Sequence, residues 1–264
     1  MNIGIIVTLI VSGFIVGFVN TLAGGGSVIS MTLFMMLGLP PAVANGTNRI
    51  AVFLQNLTAV AVFKKNKVLT FQKSIKYVIP VALGSVLGSN IVLAVNETFF
   101  NYFFIGVILI MVLVVLLKPQ LWLKENPRKI NRHMDIIQWM SYVMIGIYGG
   151  FIHVGIGYFL IAMLVLVGGY DLLKANAIKN LIVLMYVPFS LIPFILYDQV
   201  RYDYGLIHAI GNIIGAFIAS NWATKLGNRF IRYILIFLML VSCIQVLNLF
   251  DFSRFFTFLM GWEK

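Results

Sequence analysis

The feature that most constrains this chain is a series of long, uninterrupted apolar blocks separated by short polar loops. The apolar residues do not alternate with polar ones, and only 10% of the chain is charged, against about 25% in a soluble domain. Most blocks reach the roughly 20 residues that a helix needs to cross a bilayer. The bilayer must therefore be the solvent for most of the chain, and the pattern predicts an all-α polytopic membrane protein.

Two of the apolar segments, 27–39 and 156–168, are too short to cross a membrane, and each follows a glycine-rich break. No basic residues precede the first segment and its pattern recurs later, so we interpret it as part of the fold and not as a signal peptide. The predicted segments are 3–22, 27–39, 42–63, 77–95, 98–117, 134–153, 156–168, 175–197, 204–224 and 231–250.

Loop charges predict the topology. Lysine and arginine cluster in 64–76, 118–132 and 225–232, which we expect to be cytoplasmic, whereas the turns at 96–97 and 198–203 should face outward. The same rule explains the net charge of +11, and no soluble domain is present that could bind nucleic acid. This distribution of loop charges is consistent only if each half contains a hairpin that begins and ends on the same side of the membrane, followed by three full crossings. Both termini are then extracytoplasmic.

An offset of 131 residues aligns the two glycine breaks, matching Gly24 with Gly155 and Gly26 with Gly157. Such weak similarity is typical of transporter repeats. We therefore predict two inverted repeats, each a broken-helix hairpin plus three transmembrane helices, occupying 1–117 and 134–264 on either side of a basic cytoplasmic linker, 118–133. Paired small residues spaced by four suggest strips for close helix packing: Gly13/Gly17, Gly84/Gly88, Gly146/Gly150 and Gly211/Gly215.

The glycine breaks are the first candidate site. The first comprises Asn20, Gly24, Gly25, Gly26 and Ser27, and the free N–H groups of the short helix after it favour an anion. Irregular backbone persists at membrane depth only where protein buries it or water reaches it. The second break carries the weaker counterpart: His153, Gly155 and Gly157. Two inverted hairpins would bring both breaks together near the midplane of the membrane.

The helix after each hairpin begins with amides and one cation, which form the second candidate set: Asn45, Asn48, Arg49, Asn176, Lys179 and Asn180. A cation inside a membrane is costly and usually functional. Arg49 has no carboxylate nearby in sequence, which favours a role in binding. For Lys179, snorkelling to the cytoplasmic interface is an equally good interpretation.

The acidic residues all lie in loops or at segment ends, so the intramembrane carboxylate common in cation pumps is missing from the sequence. The sequence also lacks the motifs of a P-loop, a zincin or a serine hydrolase. We therefore expect no cofactor, no metal and no enzymatic activity. His153 could carry a proton, polarise a bound anion or be a hydrogen-bonded structural residue. The single cysteine, Cys243, excludes an internal disulfide.

Gly24-Gly25-Gly26, then Leu39-Pro40-Pro41 and Ala44-Asn45-Gly46-Thr47-Asn48-Arg49, resemble the TauE/SafE sulfite exporter family, also called the toluene-sulfonate uptake permease family. The resemblance covers nearly the whole chain, although Gly155-Ile156-Gly157-Tyr158 departs from the fuller glycine run often found in the second half. It implies transport of sulfur-containing anions, such as sulfite, sulfonates or sulfoacetate, across the bacterial cytoplasmic membrane. The residues carried over are those of the glycine hairpins and the two asparagine-rich helix starts.

The sequence thus predicts a multi-pass inner-membrane transporter that exports a small anion by alternating access, with the lipid bilayer as its surroundings. Coupling to protons and the choice between monomer and homodimer stay open at this point. The alternatives are a passive anion channel, a membrane-embedded enzyme acting on a lipid, and a membrane partner protein without transport activity.

Overall fold

The computed structural model describes residues 2–90, 112–113, 115–151 and 153–246, and every regular element in these ranges is helical. The predicted segment 98–117, the turn at 96–97 and the ends of several other segments lie mostly outside the described residues. The helices are α1 (Ile3–Leu22), α2 (Ser27–Met36), α3 (Pro41–Lys65), α4 (Phe71–Asn90), α5 (Pro119–Leu123), α6 (Pro127–Ile130), α7 (Ile136–Phe151), α8 (Ile156–Ala162, continued as a π-helix over Met163–Val167), α9 (Leu172–Leu196) and α10 (Tyr202–Val246).

The helix boundaries follow local signals in the sequence. Asn2 caps α1, Pro41 occupies the first position of α3, and the Asp171 carboxylate accepts a hydrogen bond from the Lys174 N–H at the start of α9. The helix α10 contains a break at Gly227, whose φ of 71° and ψ of −165° are not helical. This break lies in the basic stretch from which the sequence predicts a loop between segments 204–224 and 231–250.

Three of the described helices are long and apolar enough to cross a membrane: Ile3–Leu22, Leu172–Leu196 and the Tyr202–Val241 part of α10. The helix α3 is equally long but less apolar, because one of its faces carries buried amides and Arg49. The structure therefore agrees with an all-α membrane protein whose polar residues point inward.

The outer helices pack across the two halves of the sequence. The helix α1 lies against the first part of α10, and α4 lies against α7. A Cβ atom on Gly13 would collide with the backbone of His208, and one on Gly211 with the backbone of Ile10. The pair α4 and α7 meets in the same way through Gly84/Gly88 and Gly146/Gly150. The paired glycines are thus packing strips where two backbones approach closely.

The helices α3 and α9 cross at the centre of the molecule. The start of α3 meets the end of α9, because a Cβ on Gly46 would touch Phe194 and Arg49 bonds to Ser190. The two corresponding helices therefore run in opposite directions, as an inverted pair requires. The equivalence of the two halves, and the boundaries 1–117 and 134–264, stay predictions.

Candidate functional site

The two glycine breaks touch each other at the centre of the structure. A Cβ on Gly24 would collide with the Cα of Gly157, and a Cβ on Gly157 would collide with the Cα of Gly24. Gly24 also has a φ of +91°, and Gly155 has a φ of 69°, so both breaks use the left-handed backbone that glycine tolerates. Gly24 and Gly157, which come from the two aligned breaks, thus become spatial neighbours.

The side chain of Asn20 holds the first break in shape. Its Oδ1 accepts a hydrogen bond from the Gly26 N–H at 2.7 Å, and its Nδ2 reaches Ser27 Oγ at 3.3 Å and Gln55 Oε1 at 3.4 Å. Ser27 is the first residue of α2 and is buried. Asn20 therefore satisfies one N–H at the start of α2 and links the break to the middle of α3.

The second break is held by a different pair. His153 Nδ1 lies 2.7 Å from the Tyr186 hydroxyl on α9, and both residues are buried. Gln55 and Tyr186 occupy corresponding positions, since 186 − 55 equals the repeat offset of 131. In each break, a residue near the end of the hairpin's first helix bonds to the middle of the next long helix. The first break uses two amides, whereas the second uses two titratable groups.

Lys179 is buried at the first break, with 1% of its surface exposed. Its ammonium donates to the backbone oxygens of Asn20 at 2.7 Å and Thr21 at 2.9 Å, at the end of α1. Asn180 donates to the Thr21 oxygen as well, at 3.1 Å. Lys179 does not snorkel, so that interpretation of the sequence is wrong. Lys174 lies nearer the surface instead, paired with Glu125 at 2.9 Å.

Arg49 occupies the matching place at the second break. Its guanidinium donates to Ser190 Oγ and to the carbonyl oxygens of Gly150 at 2.7 Å and Gly149 at 3.4 Å, and it lies 4.7 Å from the centre of the Phe194 ring. Each cation thus bonds to the end of the other half's first helix, where the helix dipole favours positive charge.

A narrow cavity lies between the breaks. About 10 Å³ of it is open to a water molecule, which is room for roughly one water. The cavity is therefore closed to any larger ligand in this conformation. Its walls are formed by Asn20, Gly24, Val52, Gln55, Asn56, His153, Ile156, Gly157, Lys179 and Val183.

The structure thus places five of the residues proposed from the sequence on one cavity wall: Asn20, Gly24, His153, Gly157 and Lys179. The other proposed residues do not line it: Gly25, Gly26, Ser27, Asn45, Asn48, Arg49, Gly155, Asn176 and Asn180. Asn48 and Asn176 are buried, and neither their amide nitrogen nor their amide oxygen has a hydrogen-bond partner. Asn45 Nδ2 donates to the Phe151 oxygen at 2.9 Å, but its own oxygen is unpartnered.

The charge around the cavity is positive. Arg49 and Lys179 are buried, and no aspartate or glutamate is buried among the described residues. The described part of the chain also holds no cluster of His, Cys, Asp or Glu suited to a metal ion. Two uncompensated cations and several unsatisfied amides form a site suited to an anion.

Sequence reasoning did not single out Gln55, Asn56, Tyr186 or Ser190. A signal was present: they extend the stripes that begin at Asn48/Arg49 and Asn176, at helical spacing along α3 and α9. His208 was also missed as a buried group. It lies outside the cavity, between Ser30 Oγ at 2.8 Å and the Leu9 oxygen at 2.9 Å.

A protein-family model described as "Sulfite exporter TauE/SafE" matches residues 9–246. The chain belongs to this family. The membership and the apolar helices together make this TauE/SafE protein a multi-pass membrane transporter. The resemblance seen in the glycine hairpin and the asparagine-rich helix starts is confirmed.

Three relatives cover most of this TauE/SafE chain. A "Probable membrane transporter protein" of Haemophilus influenzae is 28% identical over 88% of the chain and 91% of its own length. "Probable membrane transporter protein ORF9" of a Sinorhizobium species is 23% identical over 90% of the chain and 91% of its own length. "Probable membrane transporter protein YfcA" of Escherichia coli is 24% identical over 88% and 85% respectively. No solved structure matches.

Proposed function

We propose that this protein is a secondary transporter that exports a small anion across the bacterial cytoplasmic membrane by alternating access. The family points to a sulfur-containing anion, such as sulfite or a sulfonate. The observation that carries the proposal is the buried pair Arg49 and Lys179 beside two touching helix breaks, with no buried carboxylate among the described residues.

Binding would use the groups around the closed cavity. Lys179 supplies the charge on the cavity wall, and the starts of α2 and α8 supply N–H groups and the positive ends of their dipoles. Arg49 adds positive charge from behind the second break, and the buried amides of Asn48 and Asn176 offer hydrogen bonds. The cavity must widen to admit an anion, so the structure corresponds to a closed state in the proposed cycle.

The membrane potential favours export as long as the negative charge of the anion exceeds the charge of any proton carried with it. A potential of 100 mV, negative inside, favours outward movement of one negative charge by about 2.3 kcal/mol. In the proposed topology, the basic linker 118–133 is cytoplasmic and both termini are extracytoplasmic. Labelling of a tag at each terminus from the outside of intact cells tests this orientation. A terminus accessible only from the cytoplasm would contradict it.

The proposal is tested with purified protein in liposomes. The wild type should be stabilised against heat by at least one of sulfite, sulfate, thiosulfate or sulfoacetate, and radiolabelled uptake of that anion should saturate and show counterflow. Flux that does neither would indicate the passive channel instead.

Lys179 and Lys174 form a matched pair of variants on the same helix. Lys179→Met should abolish anion binding because it removes the charge on the cavity wall. Lys174→Met should bind normally, since Lys174 lies 44% exposed in an ion pair with Glu125. Equal binding by both variants would remove Lys179 from the site.

A further inference from the structure

We propose that His153 takes up one proton together with the anion, so that the anion and the proton are carried on neighbouring groups of one cavity. The inference rests on the proposed anion site. It assigns the coupling ion, which the family match leaves open, and it explains why the second break differs from the first.

The position of His153 is the first argument. The residue is buried, lines the cavity with Lys179, and has a φ of 66°. Few residues other than glycine adopt such a backbone, and it is found mainly where the surroundings enforce it, often at functional sites. Its ring therefore lies beside the place where the anion would bind.

The hydrogen bond to Tyr186 is the second argument. A hydroxyl both donates and accepts, so it can donate to Nδ1 of the neutral ring and accept from Nδ1–H of the protonated ring. The contact at 2.7 Å therefore survives a change of protonation state. When the neutral ring accepts from Tyr186 at Nδ1, its Nε2 already carries a hydrogen, so the incoming proton would bind at Nδ1 while the Tyr186 hydroxyl turns to accept it. The proton would come from the aqueous side to which the cavity opens in the transport cycle.

The surrounding charges supply the coupling. Arg49 on α3 interacts electrostatically with His153, and Lys179 on α9 shares its cavity. The hydroxyls of Tyr148, Tyr158 and Tyr186 are the other titratable groups of these elements that contact the breaks. The remaining ones lie elsewhere: Lys64 and Lys65 are exposed, Tyr142 packs against Tyr77, and Lys174 pairs with Glu125. A third positive charge here is repelled while the cavity holds no anion, and a bound anion reverses that repulsion. The proton and the anion therefore strengthen each other's binding by the same factor, as linkage requires.

The test uses sulfate and methanesulfonate, which do not titrate between about pH 5.5 and 8.5, a range that spans the ordinary histidine pKa of about 6.5. Calorimetric titrations in buffers of different ionisation enthalpy should show about one proton taken up per anion. Where the free ring is neutral and the ring beside the bound anion is protonated, affinity should fall by up to about tenfold per pH unit.

His153→Gln should still bind the anion, but with an affinity that no longer changes with pH and without proton uptake. His208→Gln is the matched control, because His208 is also buried but lies outside the cavity. It should keep the proton uptake. Tyr186→Phe provides a second route if His153→Gln does not fold, and it should reduce the coupling without abolishing anion binding.

Each result is decisive. Proton uptake that persists in His153→Gln, or that disappears in His208→Gln alone, overturns the assignment to His153. Wild-type binding without proton uptake also overturns it and leaves the anion site standing. Failure of the wild type to bind any anion overturns both the proposed function and the coupling that depends on it.

Discussion

The two helix breaks have similar geometry but different chemistry. At the first, Asn20 bonds to Gln55, two neutral amides. At the second, His153 bonds to Tyr186, two groups that can exchange protons. The cations differ too, since a lysine caps the end of α1 and an arginine caps the end of α7. A similar backbone arrangement is thus equipped for hydrogen bonding on one side and, in our proposal, for proton exchange on the other.

The largest expected effect comes from the contact between the breaks. Gly24→Ala should destabilise the protein by roughly 2–5 kcal/mol, because it adds a left-handed strain of about 1–2 kcal/mol to a backbone collision of about 1–3 kcal/mol. Two controls separate these contributions. Gly157→Ala adds only the collision, and Gly38→Ala adds only the strain, since nothing lies within 4 Å of its Cβ position. Unfolding in detergent measures all three, and equal values for Gly24 and Gly38 would show that the breaks do not touch.

The second effect concerns the capping cations. Arg49→Lys should cost about 1.5–3 kcal/mol, the contribution of one charged hydrogen bond. Two separate guanidinium nitrogens bond to Ser190 and Gly150, and the single nitrogen of a lysine cannot occupy both positions. Arg201→Lys is the control, an exposed arginine paired with Asp203, and should cost less than about 1 kcal/mol. Similar losses in the two variants would contradict the buried capping role of Arg49.

A smaller loss of stability is expected when a side-chain hydrogen bond is removed at either break. Asn20→Ala should cost about 1–3 kcal/mol, because it leaves the buried Gly26 N–H without its acceptor. Tyr186→Phe should cost about 0.5–1.5 kcal/mol, since it removes one hydrogen bond and keeps the ring. Denaturant titration of the purified variants gives both values. A larger loss for Tyr186→Phe than for Asn20→Ala would contradict the expectation that the first break depends more on its side-chain hydrogen bonds than the second.

The smallest effect is expected outside the breaks. Glu125→Gln removes the ion pair between the linker and Lys174, whose side chains are 29% and 44% exposed. The loss should be about 0–1 kcal/mol, and anion binding should not change. A change in binding would extend the functional site to the start of α9.

Much of this fold could be predicted from local patterns. The lengths of the apolar blocks and the glycine runs predicted the two breaks and the short helices α2 and α8, and the charge at 225–232 marked the break at Gly227. The contacts of Lys179 could not be predicted in the same way. Whether a lysine near a helix start reaches the interface or turns inward depends on what lies beside it, and the Asn20 and Thr21 carbonyls come from a helix about 160 residues earlier.

The candidate site was predictable in part. The glycines and the helix-start amides can be recognised in the sequence as flexible or polar residues inside apolar blocks. Gln55 and Tyr186 were visible only as later members of the same stripes, and a lone tyrosine in a membrane helix has many ordinary explanations. The pairing of Tyr186 with His153, and of Asn20 with Gln55, depends on how separate helices meet, which one sequence does not specify.

The packing of α1 against α10 means that the first helix is made long before its partner. Ser12 lies beside His208, a partner 196 residues later in the chain. At about 5–20 residues per second, α1 would wait roughly 10–40 s in the membrane before that partner is made. Throughout this interval the Gly13/Gly17 strip of α1 lacks the α10 backbone against which it packs in the finished structure. The first helix can therefore complete its packing only after α10 has been made.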